Sequence, residues 1–549
     1  MSLLPTSRRR AAALLTGSVV VAASVALLVG GCGGSEPSAA QAPRRTAPLV
    51  TIFEAQTELF ANPGRTLDTL RRLGTDDVKV FVPWGSLAPN SLSHSRPRFD
   101  ATDPAAYSSA AWAPYDAIVR AAAARHLGVD LALEAPAPLW AIGPGVPPGT
   151  ASGFLGAWEP SAKEFGLFVT AVGKRYSGHF RPAGERKPLP KVDFWSIWNE
   201  PNYGQQLAPQ AIDQSTVEVS PAYYRALLGA AWTALHQTGH AGDTVLIGEI
   251  APRGHTLGDS PGNFSGMVPL RFVRALYCVD QALHPLTGIA AGQRGCPSSQ
   301  SSSATFARDN PALFEATGFA FHPYPQAAPP NVATAPDGLA ADYADFPQLP
   351  KLEATLDGAL AAYGSHTRLP LYDTEFGYQT NPPETIARAI SPELAARYAN
   401  QAEYMTWRDP RVVSWDQYLL ADPPPGPSSF DTGIEFYKGK PKPTLYDAFR
   451  MPVWLPVTNA PARHPLEVWG DLRPARYTPT TADTPPKARI EFEASGESKF
   501  RTVKQVPIAD PYGYFDTQVN FPSSGSVRIT WSYLHGETIH SRTVPITIG

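Results

Sequence analysis

The chain has 549 residues, of which 43% are hydrophobic and 17% charged, so it is long enough for at least two folded domains with substantial cores. Its formal net charge of -3 provides no basic surface, which argues against a nucleic-acid partner. Aromatic residues make up 10% of the chain, a content that suits a large core as well as it suits an aromatic binding site.

The N-terminus has the pattern of an export signal. An apolar stretch over 11–29 follows three arginines and leads into Gly-Gly-Cys, a sequence that resembles a bacterial lipobox. We therefore expect a lipoprotein-type export signal over 1–31, lipidation of Cys32, and a flexible tether over 32–46. A plain signal peptide or an uncleaved anchor is the alternative, because the apolar stretch is long enough to span a membrane.

The chain contains 3 cysteines. If Cys32 carries lipid, Cys278 and Cys296 remain as an even pair in an exported protein, so we predict a disulfide between them. Two unrelated free thiols are the alternative. Two cysteines alone do not make a metal site.

Short β-rich segments alternate with amphipathic helical segments from Pro48 onward, and most of the β-rich segments end in proline, glycine or a carboxylate. The segments cover 49–53, 78–82, 129–133, 194–198, 244–247, 318–321, 370–374 and 412–418. Eight strands that alternate with helices predict the α/β class and a (β/α)8 TIM barrel over 47–455. The length beyond a minimal barrel lies in proline-rich loops after strands, which build the active-site face of such a barrel.

The sequence changes character after the barrel. The segment 456–465 reads as a linker, and the segment 466–549 has short alternating strands with turn residues between them, as in Val527-Arg528-Ile529-Thr530-Trp531. This pattern predicts a small C-terminal antiparallel β-sandwich. A stabilising role and a carbohydrate-binding role are both open for it.

Glutamates stand at the ends of several predicted strands. Glu134, Glu200, Glu249 and Glu375 follow the third, fourth, fifth and seventh strands. The fourth and seventh strand ends face each other across the mouth of a barrel, so Glu200 and Glu375 can converge on one point. Two carboxyl groups about 5–5.5 Å apart are what a retaining glycosidase requires.

Trp198-Asn199-Glu200-Pro201 resembles the acid/base motif of clan A glycoside hydrolases, and Tyr372-Asp373-Thr374-Glu375-Phe376-Gly377 resembles their nucleophile strand. His322-Pro323-Tyr324 and Trp415 are similar to the ends of their sixth and eighth strands. The resemblance covers roughly 48–454 and points to families 39 and 5, with a lean toward family 39. Family 5 often has an arginine on an early strand, whereas the second strand here offers Lys79.

The resemblance implies that Glu200 is the general acid/base and Glu375 the nucleophile. It also implies that Asn199 binds the sugar hydroxyl next to the anomeric carbon, and that Tyr324 touches the nucleophile. The remaining residues to which it gives a substrate-binding role are His322 in the same pocket, Trp415 under the sugar ring (with Tyr418 as a rival), and Trp84 and Trp140 as further sugar platforms. Glu134 and Glu249 are expected to bind the barrel or distal hydroxyls rather than to react.

These expectations describe a retaining O-glycoside hydrolase that cleaves a β-linked or equivalent bond in an extracellular oligo- or polysaccharide by double displacement. No metal or organic cofactor is implied, and we expect a monomer that meets the membrane only through its N-terminal lipid or signal anchor. It would lie on the outer face of the cytoplasmic membrane or be secreted. An envelope transglycosylase and a non-catalytic glycan-binding lipoprotein are the alternatives.

Overall fold

The computed structural model describes residues 49–212, 216–255, 262–334, 341–426, 429–477, 485–532 and 536–549. The expected export signal, Cys32 and the tether lie outside the described residues. Within the described ranges, no helix combines the length and the apolar character that crossing a membrane requires.

The described residues contain a closed barrel of eight parallel strands in chain order, as the sequence predicts. The strands are β1 (Val50–Glu54), β2 (Asp77–Pro83), β3 (Gly128–Glu134), β4 (Phe194–Ile197), β5 (Thr244–Ile250), β6 (Gly318–Phe321), β7 (Leu371–Asp373) and β8 (Val412–Tyr418). The first and last strands close the barrel, with Val50 opposite Ser414 and Glu54 opposite Tyr418.

Alternation along the strands divides the barrel into an apolar outer face and a mixed interior. On β2, Val78, Val80 and Val82 belong to the large core beneath the helices. Lys79, between them, points into the barrel and is completely buried. Inside the barrel, a small separate apolar cluster comes from β1, β4, β5 and β6: Ile52, Phe194, Leu246 and Ala320. The polar groups of the site lie at the carboxyl ends of the strands.

Helices cover the outside of the barrel. They are α1 (Gln56–Ala61), α2 (Pro63–Leu73), α3 (Trp84–Leu87), α4 (Ser109–Ala123), α5 (Ala162–Arg175), α6 (Ser220–Gln237), α7 (Pro269–Leu276), α8 (Gly288–Gln293), α9 (Gln300–Ser303), α10 (Phe306–Asp309), α11 (Pro311–Glu315), α12 (Leu349–Ala361), α13 (Pro392–Arg408) and α14 (Leu445–Arg450). Local sequence explains their limits: Asn62 accepts a hydrogen bond from the Arg65 N–H at the start of α2, and Gly74 ends that helix at φ 89°.

A β-sandwich follows the barrel, as predicted. Its strands are β11 (Val453–Trp454), β12 (Asn459–Ala460), β13 (Leu466–Asp471), β14 (Lys487–Ala494), β15 (Arg501–Pro507), β16 (Tyr514–Val519), β17 (Gly525–Ser532), β18 (Thr538–His540) and β19 (Val544–Ile548), after a short hairpin of β9 (Glu435–Phe436) and β10 (Lys440–Pro441). Among described residues they form a three-stranded and a six-stranded sheet. The sandwich begins earlier than predicted, because β11 pairs with β13 and β12 pairs with β19. The segment 456–465, predicted as a linker, therefore contributes a strand.

A buried arginine joins the sandwich to the barrel. Arg473 donates to the Thr51 hydroxyl on β1 at 2.8 Å, to the Glu403 carboxylate on α13 at 2.6 Å and to the Phe449 carbonyl at 2.9 Å. Tyr514 of the sandwich donates to the same Glu403 carboxylate. The two parts thus share one buried polar cluster.

The predicted disulfide is present. Cys278 and Cys296 are bonded through their sulfur atoms, with an S–S distance of 2.03 Å. They cross-link the segment that follows α7 and includes α8, and Cys296 Sγ lies 4.0 Å from Arg225 near the start of α6.

Candidate active site

The end of β4 places Glu200 through an unusual backbone. Trp198 has φ 66° and Glu200 has φ 39°, both in the left-handed region that residues with side chains rarely adopt. The Glu200 N–H donates to the carbonyl of Glu249 at 2.9 Å, which ties the end of β4 to the end of β5. Strain of this kind persists where the surrounding structure imposes it, and it is concentrated at functional sites.

Glu375 follows β7 and is held by two hydrogen-bond donors. The Tyr324 hydroxyl donates to Glu375 Oε2 at 3.1 Å, and Lys79 Nζ donates to Glu375 Oε1 at 3.3 Å. The carboxylate is 6% exposed and is reached from the mouth of the barrel. Each of its oxygens therefore has a fixed partner and a fixed direction.

His322 connects the glutamates. Its Nδ1 lies 3.1 Å from Glu200 Oε1, its Nε2 lies 2.9 Å from Glu249 Oε2, and the ring is completely buried. Burial alone would lower the pKa of His322, but the Glu375 charge and the hydrogen bonds to Glu200 and Glu249 raise it to about 9. At neutral pH the ring is an imidazolium that donates to both neighbouring glutamates.

The protonation states of the glutamates differ because their surroundings differ. Burial, the largest effect, raises the pKa of Glu200 even though His322 opposes it. Burial also acts on Glu249, but there Lys79 Nζ at 2.8 Å and His322 outweigh it and lower the pKa to about 2. Glu200 is thus suited to hold a proton, and Glu249 is a permanent anion between two cations.

Lys79 and Glu54 complete the floor of the site. Lys79 Nζ is surrounded by Glu249, Glu375, the Thr374 carbonyl and, at 3.7 Å, Glu54. These carboxylates outweigh burial and raise the pKa of Lys79 well above its usual value. Both carboxyl oxygens of Glu54 are buried without a hydrogen-bond partner among the described residues. Burial raises the pKa of Glu54 well above its usual value, which favours its neutral form.

The two strand-end glutamates converge as the sequence predicts. A carboxylate oxygen of Glu200, a carboxylate oxygen of Glu375 and a ring nitrogen of His322 all lie within 4.8 Å of one another. Carboxyl groups about 5–5.5 Å apart suit double displacement, whereas inverting sites keep them about 6.5–9.5 Å apart to admit a water. The geometry supports covalent attack by one group and proton transfer by the other.

These three groups are of types that also bind metals, but their environment disfavours a cation. His322 Nδ1 is already engaged with Glu200, and the ammonium of Lys79 lies 3.3 Å from Glu375. A divalent ion would have to compete with both positive charges.

A cavity of about 650 Å³ lies above the two glutamates; we call it the first cavity. Its volume is within the range of small-molecule sites. It is lined by Phe81, Glu134, Asn199, Glu200, Tyr203, Gln205, Gln206, Pro252, Arg253, Tyr324, Gln326, Glu375, Gly377, Gln379, Arg388, Tyr418 and Phe430. Burial, followed by the Glu375 charge, raises the pKa of Glu134 to about 8, so this carboxyl is largely protonated at neutral pH.

Asn199 lines the first cavity, and its buried Oδ1 has no hydrogen-bond partner among the described residues. Tyr324 lines it too, and His322 lies beneath it. These three positions are compatible with the roles that the sequence resemblance implies for them.

The predicted tryptophan platforms need correction, because none of the three lines the cavity in the described structure. Trp415 is 1% exposed and packs against Phe376, since its place in the alternation of β8 turns it outward to the helices. Trp84 is stacked on Phe168 in the core. Trp140 donates its indole N–H to the Pro89 carbonyl. Tyr418, Phe430, Phe81 and Tyr203 supply the aromatic walls instead.

Three charged residues have more contacts in the site than the sequence predicts for them. Glu249 was expected to be a peripheral hydrogen-bonding group, Lys79 had no assigned role, and Glu54 was not singled out. Position was the signal that the sequence offers: Glu54 follows the first predicted strand as Glu375 follows the seventh, and Lys79 stands between Val78 and Val80 within a predicted strand.

No protein-family model matches the chain, and no curated protein matches it. Solved structures with a related fold include a family 39 glycoside hydrolase from the gut symbiont Bacteroides cellulosilyticus WH2, at 15% identity and TM-score 0.44, covering 86% of this chain and 79% of that chain. A GH30 endoxylanase from Clostridium papyrosolvens C71 has 9% identity and TM-score 0.43, covering 87% and 95%. An endo-beta-1,4-mannanase from Thermotoga petrophila has 11% identity and TM-score 0.38, covering 92% and 99%. At this level of similarity these structures do not indicate the function of this chain. The function is inferred from the geometry of the site itself.

Proposed function

We propose that the chain is an exported retaining O-glycoside hydrolase that cleaves a β-linked or equivalent bond in an extracellular oligo- or polysaccharide. The observation that carries the proposal is the pair Glu200 and Glu375, with carboxylate oxygens within 4.8 Å at the floor of a cavity of sugar-binding size. Export is supported by the N-terminal signal pattern and by the disulfide, because disulfides persist outside the reducing cytoplasm.

In the first step, Glu375 attacks the anomeric carbon and Glu200 gives its proton to the leaving oxygen. Lys79 Nζ lies 3.3 Å and His322 Nδ1 lies 3.5 Å from the Glu375 carboxyl oxygens, and the Tyr324 hydroxyl orients the group. In the second step, Glu200 accepts a proton from water, the water oxygen bonds to the anomeric carbon, and the Glu375 ester breaks. The raised pKa of Glu200 fits a group that alternates between acid and base.

The test uses a panel of 2,4-dinitrophenyl glycosides and their 2-fluoro analogues, which slow the second step. Mass spectrometry should find the fluorosugar bonded to the peptide that contains Glu375, and NMR should show that the first product keeps its anomeric configuration. Glu375→Ala should lose at least about 10⁴-fold in kcat. Azide should restore turnover of Glu200→Ala with a glycosyl azide of retained configuration, whereas any azide-supported turnover of Glu375→Ala should give the inverted glycosyl azide.

Glu134→Gln is the matched control, because Glu134 lines the same cavity without touching either reacting carboxylate among its described contacts. It should form the same covalent intermediate and give a product of the same configuration. Inversion of configuration, or a label on any other residue, would overturn the proposal. Glycan binding without turnover would instead support the non-catalytic alternative.

A further inference from the structure

A second cavity of about 360 Å³ adjoins the first and has no assigned role in the chemistry above. Both cavities are lined by four residues that form their common wall: Tyr203, Gln205, Arg253 and Gln326. The second cavity is lined further by Gly204, Gly254, His255, Phe264, Gly266 and Tyr343. The two cavities therefore lie side by side along one cleft.

The position of the second cavity relative to the reacting groups is asymmetric. All its lining residues follow β4, β5 or β6, and Tyr203 is three residues beyond Glu200. The first cavity, by contrast, is also lined by Glu375, which follows β7, and by Tyr418, the last residue of β8. The second cavity thus lies on the Glu200 side of the cleft, away from the nucleophile.

In a retaining reaction the nucleophile and the leaving group lie on opposite sides of the anomeric carbon, and the acid protonates the leaving oxygen. We propose that the second cavity binds the leaving group, and that this leaving group is a sugar unit of a longer, uncharged glycan. This inference rests on the function proposed above. It makes the protein an enzyme for chains rather than for glycosides of small alcohols.

Glycines allow the backbone segments that form the wall of this cavity to approach one another closely. A Cβ at Gly204 would lie 2.2 Å from Phe264 Cα, so the loops after β4 and β5 can approach this closely only with glycine there. A Cβ at Gly266 would lie 2.8 Å from the ring of Tyr203. Gly266 and Tyr203 are also paired as an isolated bridge. The Tyr203 ring therefore rests on backbone and is fixed before any ligand binds.

The lining chemistry matches a neutral sugar. The rings of Tyr203, Phe264 and Tyr343 offer apolar faces, while the amides of Gln205 and Gln326 can donate to and accept from hydroxyl groups.

Arg253 supplies fixed donors at the boundary between the two cavities. One of its terminal nitrogens lies 3.2 Å from the Thr334 hydroxyl and 3.4 Å from Asp345 Oδ2. Asp345 already balances the charge of the guanidinium, so the site does not call for an acidic sugar. Within the described ranges, the other N–H groups of Arg253 have no hydrogen-bond acceptor, so they can donate to sugar hydroxyl groups.

Binding energy from the leaving group can accelerate only the first step, because the leaving group departs before water attacks. Phe264→Ala should therefore lower the ratio of kcat/KM for a neutral oligosaccharide to kcat/KM for the dinitrophenyl glycoside of the same sugar, by about tenfold. The reaction of the aryl substrate depends little on binding energy from the second cavity, because its leaving group is chemically activated. An unchanged ratio would contradict the proposal.

A second measurement uses the unaltered protein. Enzyme trapped as the 2-fluoroglycosyl ester should regain activity faster when neutral disaccharides such as cellobiose, xylobiose or mannobiose are added. The acceptor hydroxyl would attack the anomeric carbon, Glu200 would take its proton and Glu375 would leave as carboxylate. No acceleration by any of them would overturn the leaving-group site while leaving the proposed function intact. Failure to form the ester at all would instead refute the proposed function.

Discussion

His322 is the residue through which the charges of the site are coupled. It is fully buried between Glu200 and Glu249, and its imidazolium form lowers the pKa of Glu200 against the effect of burial. The first chemical step needs protonated Glu200, so kcat/KM falls as the pH rises through the pKa of that carboxyl. The imidazolium therefore influences where the basic limb of the pH profile lies.

His322→Gln should move the basic limb of the kcat/KM profile to higher pH. The substitution removes a positive charge and a hydrogen bond that lower the pKa of Glu200, so this acid stays protonated to higher pH. The measurement is kcat/KM on one aryl glycoside across pH. Tyr324→Phe is the comparison: it loses a contact to Glu375, so its rate should fall while the basic limb stays in place. A limb that moves to lower pH in His322→Gln would be inconsistent with this coupling.

At this scale the convergence of Glu200 and Glu375 could be predicted from the sequence, whereas the aromatic residues that line the cavity could not. Glu200 and Glu375 stand in short motifs at strand ends, and the end of a buried strand determines where a carboxylate is placed. Trp415 stands in a similar strand, but one position in the alternation decides whether a side chain faces the cavity or the helices. Tyr418, three residues later, is the one that lines the cavity.

Among the elements, the connection after α7 is cross-linked by a disulfide whose cysteines line neither cavity in the described structure. The disulfide Cys278–Cys296 closes a loop with a sequence separation of 18, and Arg225 of α6 donates to the carbonyls of Leu276 and Gly295 at its base. In the described structure, neither cysteine nor any residue between them lines the first or the second cavity. The staple should therefore affect stability and leave the chemistry unaffected.

Cys278→Ser/Cys296→Ser should lower the free energy of unfolding by about 3 kcal/mol, the entropy of closing a loop of this size in the unfolded chain. Denaturant titration would measure the loss, and kcat/KM on an aryl glycoside should stay within twofold of the unaltered protein. Reduction of the unaltered protein by dithiothreitol should reproduce the loss. Equal stability with and without the bond would show that the loop is held by its hydrogen bonds alone.

The barrel strands could be predicted because buried parallel strands are apolar on both faces and end at proline, glycine or polar residues. The start of the sandwich could not. Val453–Trp454 and Asn459–Ala460 are strands of two residues, too short to show alternation, and only their partners β13 and β19 identify them as strands.

Over the whole molecule, stability depends on the buried cluster around Arg473. Arg473 is 1% exposed and balances Glu403, with Asp471 3.5 Å away. Because the cluster includes Thr51 of the barrel and Tyr514 of the sandwich, the two parts should unfold together rather than one after the other.

Arg473→Met should therefore destabilise the entire protein by about 3–5 kcal/mol, since it leaves buried carboxylates without a cation. Arg528→Met is the matched control: it breaks an arginine–glutamate pair with Glu491 that lies within the sandwich and is partly exposed, so it should lose about 1 kcal/mol or less. Calorimetry would measure both variants. Separate transitions for the barrel and the sandwich in the unaltered protein would contradict the shared cluster.

The bond from Arg473 to Thr51 joins residues 422 positions apart, and Thr51 belongs to the strand that closes the barrel against β8. A ribosome makes β1 first and these partners last. The nascent chain can form local strand–helix pairs but cannot close its barrel until β8, which ends at Tyr418, has been synthesised, and contacts of such long range form slowly. We therefore expect the barrel to close late in synthesis, so that the earlier strands stay accessible to chaperones until β8 is available.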